Sequence, residues 1–133
     1  MTRPLHAFRL GILVVALTGG TFLNACSRAD ASQETANPAL GGKVDGAKAK
    51  QLVGEGALLL DVRSPGEFAG GHAPGAINIP IDDLSTRKSE LPAGKPVITY
   101  CTAGVRSARA ARMLRNDGRT VHDLGSLSAW PKD

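Results

Sequence analysis

Tyr100-Cys101-Thr102-Ala103-Gly104-Val105-Arg106-Ser107 gathers a thiol, a glycine, a guanidinium and hydroxyl groups into one short stretch. A cysteine is a nucleophile only as its thiolate, which forms where backbone N–H groups, a helix N-terminus or a cation face the sulfur. This spacing supplies all three. An apolar run, Val97-Ile98-Thr99-Tyr100, ends directly before Cys101, and a helical pattern begins at Val105. The turn between them must present successive N–H groups toward the sulfur, and Gly104 relieves the steric limit on positive φ there. The following helix adds the partial charge of its N-terminus, and Arg106 adds a full one. The chemistry expected is nucleophilic catalysis by Cys101, with Thr102, Ala103, Gly104, Val105 and Arg106 forming an anion cradle. The competing reading makes Cys101 a small buried hydrophobe at a strand end. Glycine and arginine at this spacing favour the reactive thiol.

A second concentration of chemistry runs from Asp61 to Pro80. Ser64-Pro65-Gly66-Glu67 reads as a capping box, in which the Ser hydroxyl and the Glu carboxylate satisfy free N–H groups and Pro occupies the first helical position. Glu67 is therefore expected to be structural. Asp61, Arg63 and His72 have compatible charges and are expected to form a hydrogen-bonded network that fixes the loop. With Ser107 they are read as pocket or scaffold residues rather than acids and bases.

The elements that must position these groups are short. Ala57–Val62, Val97–Tyr100 and Thr120–Leu124 are apolar runs without clean alternation, as strands buried on both faces should be, and Ala76–Ile79 is a weaker fourth. Asp45–Val53 and Val105–Asp117 are helical stretches, the second closed by Asn116-Asp117-Gly118. Strands alternating with helices imply crossover units and a parallel sheet. In such sheets reactive groups collect just past the carboxyl ends of strands, which is where both clusters fall.

With 133 residues and 42% hydrophobic content the chain has room for one modest globular core. Its formal charge of +4 is partly a leader effect, because removing Arg3 and Arg9 from the 16 Lys plus Arg leaves 14 against 12 Asp plus Glu. A domain at about +2 with one basic helix is not expected to bind nucleic acid. Residues 1–25 read as a signal peptide, in which Arg3, His6 and Arg9 precede the apolar run Leu10–Leu23. Leu23-Asn24-Ala25-Cys26 resembles the bacterial lipobox, so lipidation of Cys26 is expected to supply the protein's one attachment to a membrane. Ordinary cleavage after Ala29-Asp30-Ala31, releasing a soluble periplasmic protein, is the alternative. Residues 26–43, rich in Ser, Ala, Asn, Gln, Gly and charge, read as a tether, and the seventeen from Ser27 onward would span roughly 20–25 Å. The globular domain is expected over 44–133, in the cell envelope or periplasm. Its lone thiol, Cys101, leaves no intrachain disulfide to staple it.

The D-V-R, E-F, G-H, P-G-A and N-I-P elements between Asp61 and Pro80 are followed by C-x-x-G-x-R-S from Cys101 and by Leu124-Gly125-Ser126-Leu127-Ser128-Ala129-Trp130. In these three ordered blocks the chain from Val44 onward resembles a single-domain rhodanese. The resemblance implies an α/β three-layer sandwich, a central parallel sheet of four to five strands flanked by helices, with Cys101 as the sulfur carrier. It also implies a monomer whose partners are a small anionic sulfur donor such as thiosulfate and a thiol or cyanide acceptor. Arg106 would hold the anionic part of the donor. No cofactor or metal is expected, since the chain lacks a C-x-x-C pair, a His and Cys ligand cluster and a phosphate-loop motif. Arg109, Arg112 and Arg115 are read mainly as a solvated helix face. Two departures from the family pattern fall at the pocket rim. Ser126 stands where a second glycine is common, and Pro131-Lys132-Asp133 follows Trp130 where relatives often continue a helix.

Three other classes fit less well. Cysteine phosphatases related to this fold place five residues between Cys and Arg, and here there are four; the smaller ring suits one sulfur better than three phosphoryl oxygens. A thiol redox protein would need an external thiol to resolve its oxidised form. A non-catalytic persulfide-binding or partner-binding module is the remaining alternative.

Overall fold

A computed structural model of the protein describes residues 40–132. The readings that concern the signal peptide, Cys26 and the tether up to residue 39 lie outside the described residues. Four strands form one parallel sheet: β1 (Leu58–Asp61), β2 (Ile77–Asn78), β3 (Val97–Cys101) and β4 (Val121–Ser126), in the order β2-β1-β3-β4. The helices are α1 (Gly46–Gly54), α2 (Pro65–Ala69), α3 (Leu84–Arg87) and α4 (Val105–Asn116), with single 3-10 turns at Lys88–Glu90 and Leu127–Ala129. This is the α/β arrangement that the sequence resemblance implies, a central parallel sheet flanked by helices, with the sheet at four strands.

Local chemistry explains the boundaries. Asp45 caps α1, its carboxylate accepting the Lys48 N–H at 2.8 Å. Ser64 and Glu67 form a complete capping box on α2, with Pro65 in its first turn. The two short helices α2 and α3 carry too few apolar residues to show a 3.6-residue period.

The period of two along β3 makes the three layers. Ile98 and Tyr100 pack in a cluster with Leu59, Ala49 of α1 and the flanking Leu52 and Val53. Val97 and Cys101 pack on the opposite side with Leu60, Val62, Ile79, Leu84 of α3, and Ala110, Ala111 and Leu114 of α4. Every residue of β3 is buried, which accounts for its unbroken apolar run. Each fully buried Leu or Ile in these clusters contributes about 1.5–3 kcal/mol.

One strand edge departs from the sequence reading. Gly42 and Lys43, assigned by composition to the tether, run along β4, where the Val44 N–H donates to the Asp123 carbonyl at 3.0 Å and the Asp123 N–H to that of Gly42 at 2.9 Å. An open strand edge recruits backbone donors and acceptors whatever side chains they carry, so these two residues lie along the sheet although their composition is that of a linker.

Candidate active site

The carboxyl ends of β1, β3 and β4 converge on Cys101. In the β3–β4 register Thr99 faces Asp123 but Tyr100 faces Gly125, so Leu124 is an extra residue in β4 and the strand bulges before reaching Ser126, opposite Cys101. Gly125 takes φ +84°. The Asp123 carboxylate holds this kink by accepting the Gly125 N–H at 2.9 Å. Gly104, with φ +92°, caps α4 in the left-handed region and lies so near that a Cβ on it would meet Gly125 Cα at 3.6 Å. The two glycines thus let the Cys loop and the kinked strand meet backbone to backbone.

Cys101 is buried, and the Gly104 N–H points at its sulfur, N to Sγ 3.0 Å. Burial pushes the thiol up. Backbone hydrogen bonding from Ser107, Gly104 and Ala103, joined by the Ser107 hydroxyl, outweighs it and sets the thiol below its ordinary value. Ser107 is buried too, its Oγ placed 2.9 Å from the Gly104 carbonyl and 3.2 Å from that of Gly125. It is the bolt between loop, helix and strand.

Arg106 has a partner that the sequence reading did not name. Its two Nη groups donate to the two carboxylate oxygens of Glu67 at 2.7 and 2.8 Å, and Nη2 also reaches Thr102 Oγ1 at 3.1 Å. Thr102 Oγ1 itself donates to Glu67 Oε1 at 2.8 Å. Glu67 still closes its capping box, accepting the Ser64 N–H and hydroxyl at 3.0 Å each. One carboxylate therefore joins the start of α2 to two residues of the Cys loop. Arg106 first, then Thr102 and Ser64, hold the Glu67 carboxyl far below the usual carboxylate range. The sequence reading confined Glu67 to the cap; its second oxygen, idle in that role, was the available hint of a further partner.

Asp61 and Arg63 do pair, with Arg63 Nη2 at 2.6 Å and Nε at 3.0 Å from the Asp61 oxygens, both residues buried. Arg63 also donates to the Gly71 carbonyl at 2.7 Å and lies 5.8 Å from the Tyr100 ring centroid. The Tyr100 hydroxyl accepts the Ala73 N–H at 3.2 Å, and burial pushes its phenol up. His72 is not part of this network, contrary to the sequence reading. It is exposed, stacked on Phe68 with centroids 3.8 Å apart, and its Nδ1 lies 2.9 Å from the Phe68 carbonyl. The ring and the carbonyl of Phe68, four residues earlier, satisfy it locally.

The atypical Ser126 closes the other rim, its hydroxyl donating to the Thr102 carbonyl at 2.6 Å. Thr102, Ala103 and Val105 are exposed, and Gly104 and Arg106 are partly so. The loop is open to solvent above a buried sulfur.

A parallel α/β layer whose central strand ends in a buried cysteine, with a loop N–H on its sulfur and a helix starting directly after, defines the class of α/β domains with a cradled thiol. Within it, residues 45–133 match the model of the rhodanese-like domain family, and the chain belongs to that family. It is similar to the uncharacterized protein YqhL of Bacillus subtilis, 50% identical over 76 residues that span 56% of this chain and 60% of that protein. It is also similar to a sulfurtransferase of Allochromatium vinosum, 36% identical over 80 residues, 59% of this chain and 75% of that one. Among solved structures, a rhodanese-related protein from Thermoplasma volcanium superposes with a TM-score of 0.59 at 27% identity, over 67% of this chain and 94% of that one.

Proposed function

We propose that the protein is a sulfurtransferase that carries sulfane sulfur as a Cys101 persulfide. The observation that supports this most is the Gly104 N–H on Sγ at 3.0 Å, within a loop that lowers the thiol despite its burial. The Cys101 thiolate attacks the outer sulfur of thiosulfate, the S–S bond of the donor breaks, and sulfite leaves with the electron pair. An acceptor such as cyanide or a thiolate then attacks the outer sulfur of the persulfide and restores the Cys101 thiolate. Each step moves one sulfur by in-line displacement, so covalent catalysis splits one transfer into two. The N–H groups of the loop stabilise the anionic sulfur in both states.

Donor recognition falls to those N–H groups and to the outer face of the Glu67–Arg106 pair. The pair leaves the loop with less net charge than a free arginine would, which favours donors bound through hydrogen bonds over those bound through charge alone. Export, with lipidation at Cys26 and a place in the cell envelope, is part of the same proposal and rests on the sequence of residues 1–26.

Intact mass of the full chain before and after thiosulfate, with a cyanide chase, tests the reading. One added sulfur that cyanide removes, absent from Cys101→Ser, is the expected result. No adduct, or an adduct that survives in Cys101→Ser on the remaining Cys26, overturns it.

A further inference from the structure

Four arginines on α4 have different fates. Arg106 is held by Glu67, and Arg115 donates to the Val121 carbonyl at 2.8 and 3.0 Å. Arg109 and Arg112 are exposed and make no hydrogen bond or ion pair within the described residues. At 100° per residue they share one face with Val105, all three within about 60° of arc. Val105 is 77% exposed, the most exposed large apolar side chain among the described residues, and it belongs to the Cys loop itself. The opposite face of α4 carries the buried Ser107, Ala110, Ala111 and Leu114. An apolar contact at the mouth of the site is thus followed along the helix by two unpaired cations.

We propose that this face of α4 docks an acidic polypeptide whose cysteine accepts the sulfur from Cys101, an inference that rests on the sulfur-transfer reading above. Spacing favours a polypeptide over a small anion. Arg109 and Arg112 lie about 6 and 10 Å beyond Val105 along the helix axis, at 1.5 Å per residue. A thiosulfate seated in the loop does not reach them, whereas two or three extended residues, at about 3.3 Å each, do. An uncovered apolar side chain with arginines beside it also fits a protein contact, where arginine is enriched, better than an ion site. The charge continues sideways into a 350 Å³ groove bordered by Lys43, Arg112 and Arg115. That groove also holds one carboxylate, Asp123, which accepts the Gly125 N–H, and three cations against it leave the lining net positive.

In the transfer the partner's thiolate attacks the outer sulfur of Cys101–S–SH and the S–S bond breaks. Cys101 leaves as thiolate, and the partner departs as R–S–SH. No outside oxidant or reductant is required.

The test uses the full chain charged by thiosulfate and two synthetic acceptors, each with an amino-terminal cysteine and a glycine followed by four glutamates or by four serines. Cyanide turnover is measured in parallel as the denominator. At low salt the acidic peptide is expected to show kcat/KM about tenfold above the serine peptide, an advantage that shrinks as salt screens it. Arg109→Glu is expected to cut that advantage at least fivefold. Lys95→Glu, the same charge change before the amino end of β3, is expected to leave it within a factor of two. Equal kcat/KM for the two peptides, or an equal loss from Lys95→Glu, overturns the docking surface while leaving sulfur transfer standing. Absence of cyanide turnover overturns the sulfur-transfer reading first and the docking surface with it.

Discussion

Removing one hydroxyl, in Ser107→Ala, separates the structural and the chemical work of the Cys loop. The Ser107 Oγ is buried and lies 3.2 Å from the Gly125 carbonyl and 2.9 Å from that of Gly104, which also accepts the Ala108 N–H at 3.0 Å, so its loss takes one donor from the carbonyls buried at this junction. Such a loss costs about 1–3 kcal/mol. Alanine is the better helix former by about 0.5 kcal/mol, and this sets the net near 1–2 kcal/mol. For a domain of this size that is a fall in Tm of roughly 5–15 °C, read from Trp130 fluorescence or circular dichroism.

The same hydroxyl helps hold the thiol below its ordinary value, so the second readout is the thiolate absorbance against pH, with Cys101→Ser as the blank that removes the contribution of Cys26. In the wild type the loop's hydrogen bonds hold the folded thiol below its ordinary value. Because the folded value is depressed, the stability it contributes is full above the ordinary thiol value and is lost as pH falls through the folded one. Ser107→Ala is expected to shift the titration upward and to move the rise of sulfur transfer with pH in the same direction. A destabilised variant with an unmoved titration would show that the hydroxyl braces the backbone and does not act on the sulfur, and the electrostatic account of the cradle would be wrong.

Glu67→Gln and Arg106→Ala should each lower kcat/KM for thiosulfate, and the double variant should lose little more than either alone, because both break one clamp; kinetics of the four proteins read the coupling. The stability difference between wild type and Glu67→Gln should stay constant above pH 4.5, the ordinary carboxyl value, and shrink in more acid solution, since the depressed group gives up its contribution only as pH falls through its folded value; Tm against pH checks this. Asp61→Asn strands the buried Arg63 guanidinium and should cost about 3–5 kcal/mol in urea unfolding, whereas Asp61→Leu combined with Arg63→Met should recover most of it.

The parts of the molecule that were legible in the sequence are those where one local rule decides the outcome. The buried run Val97–Cys101 has no polar alternation, so it could only be a central strand. Gly104 sits between that strand and a long amphipathic helix, where only a left-handed turn fits. The Ser64–Glu67 box was readable because capping is a contact three residues long. Contacts across the fold were not. Glu67 meets Arg106 over a separation of 39 residues, and the sequence holds many Glu and Arg pairs that never touch. His72 misled for the opposite reason, since charge compatibility with Asp61 suggested a long contact when Phe68, four residues away, had already satisfied the ring. The bulge at Leu124 was also invisible, because a β-bulge is a property of two strands and a single run of apolar residues cannot display it.

The commitment of Arg106 to Glu67 changes what kind of site this is. A free guanidinium beside a thiolate would bind the donor strongly and then hold the departing sulfite as well, slowing the turnover it had started, because binding both states equally adds nothing to the chemical step. With its charge matched by Glu67, the cation instead fixes the path of residues 102–106, and the stabilisation at the sulfur comes from N–H dipoles that are already aimed before any substrate arrives. Thr102 is gripped from both sides, its hydroxyl by Glu67 and its carbonyl by Ser126, so the loop has little freedom to relax around the sulfur, as the proposed persulfide would require. Rigidity here and open arginines further along α4 fit the division of labour proposed above: the loop N–H groups and the outer face of the Glu67–Arg106 pair would serve the sulfur and its small donor, and a polypeptide acceptor would be recognised along the helix.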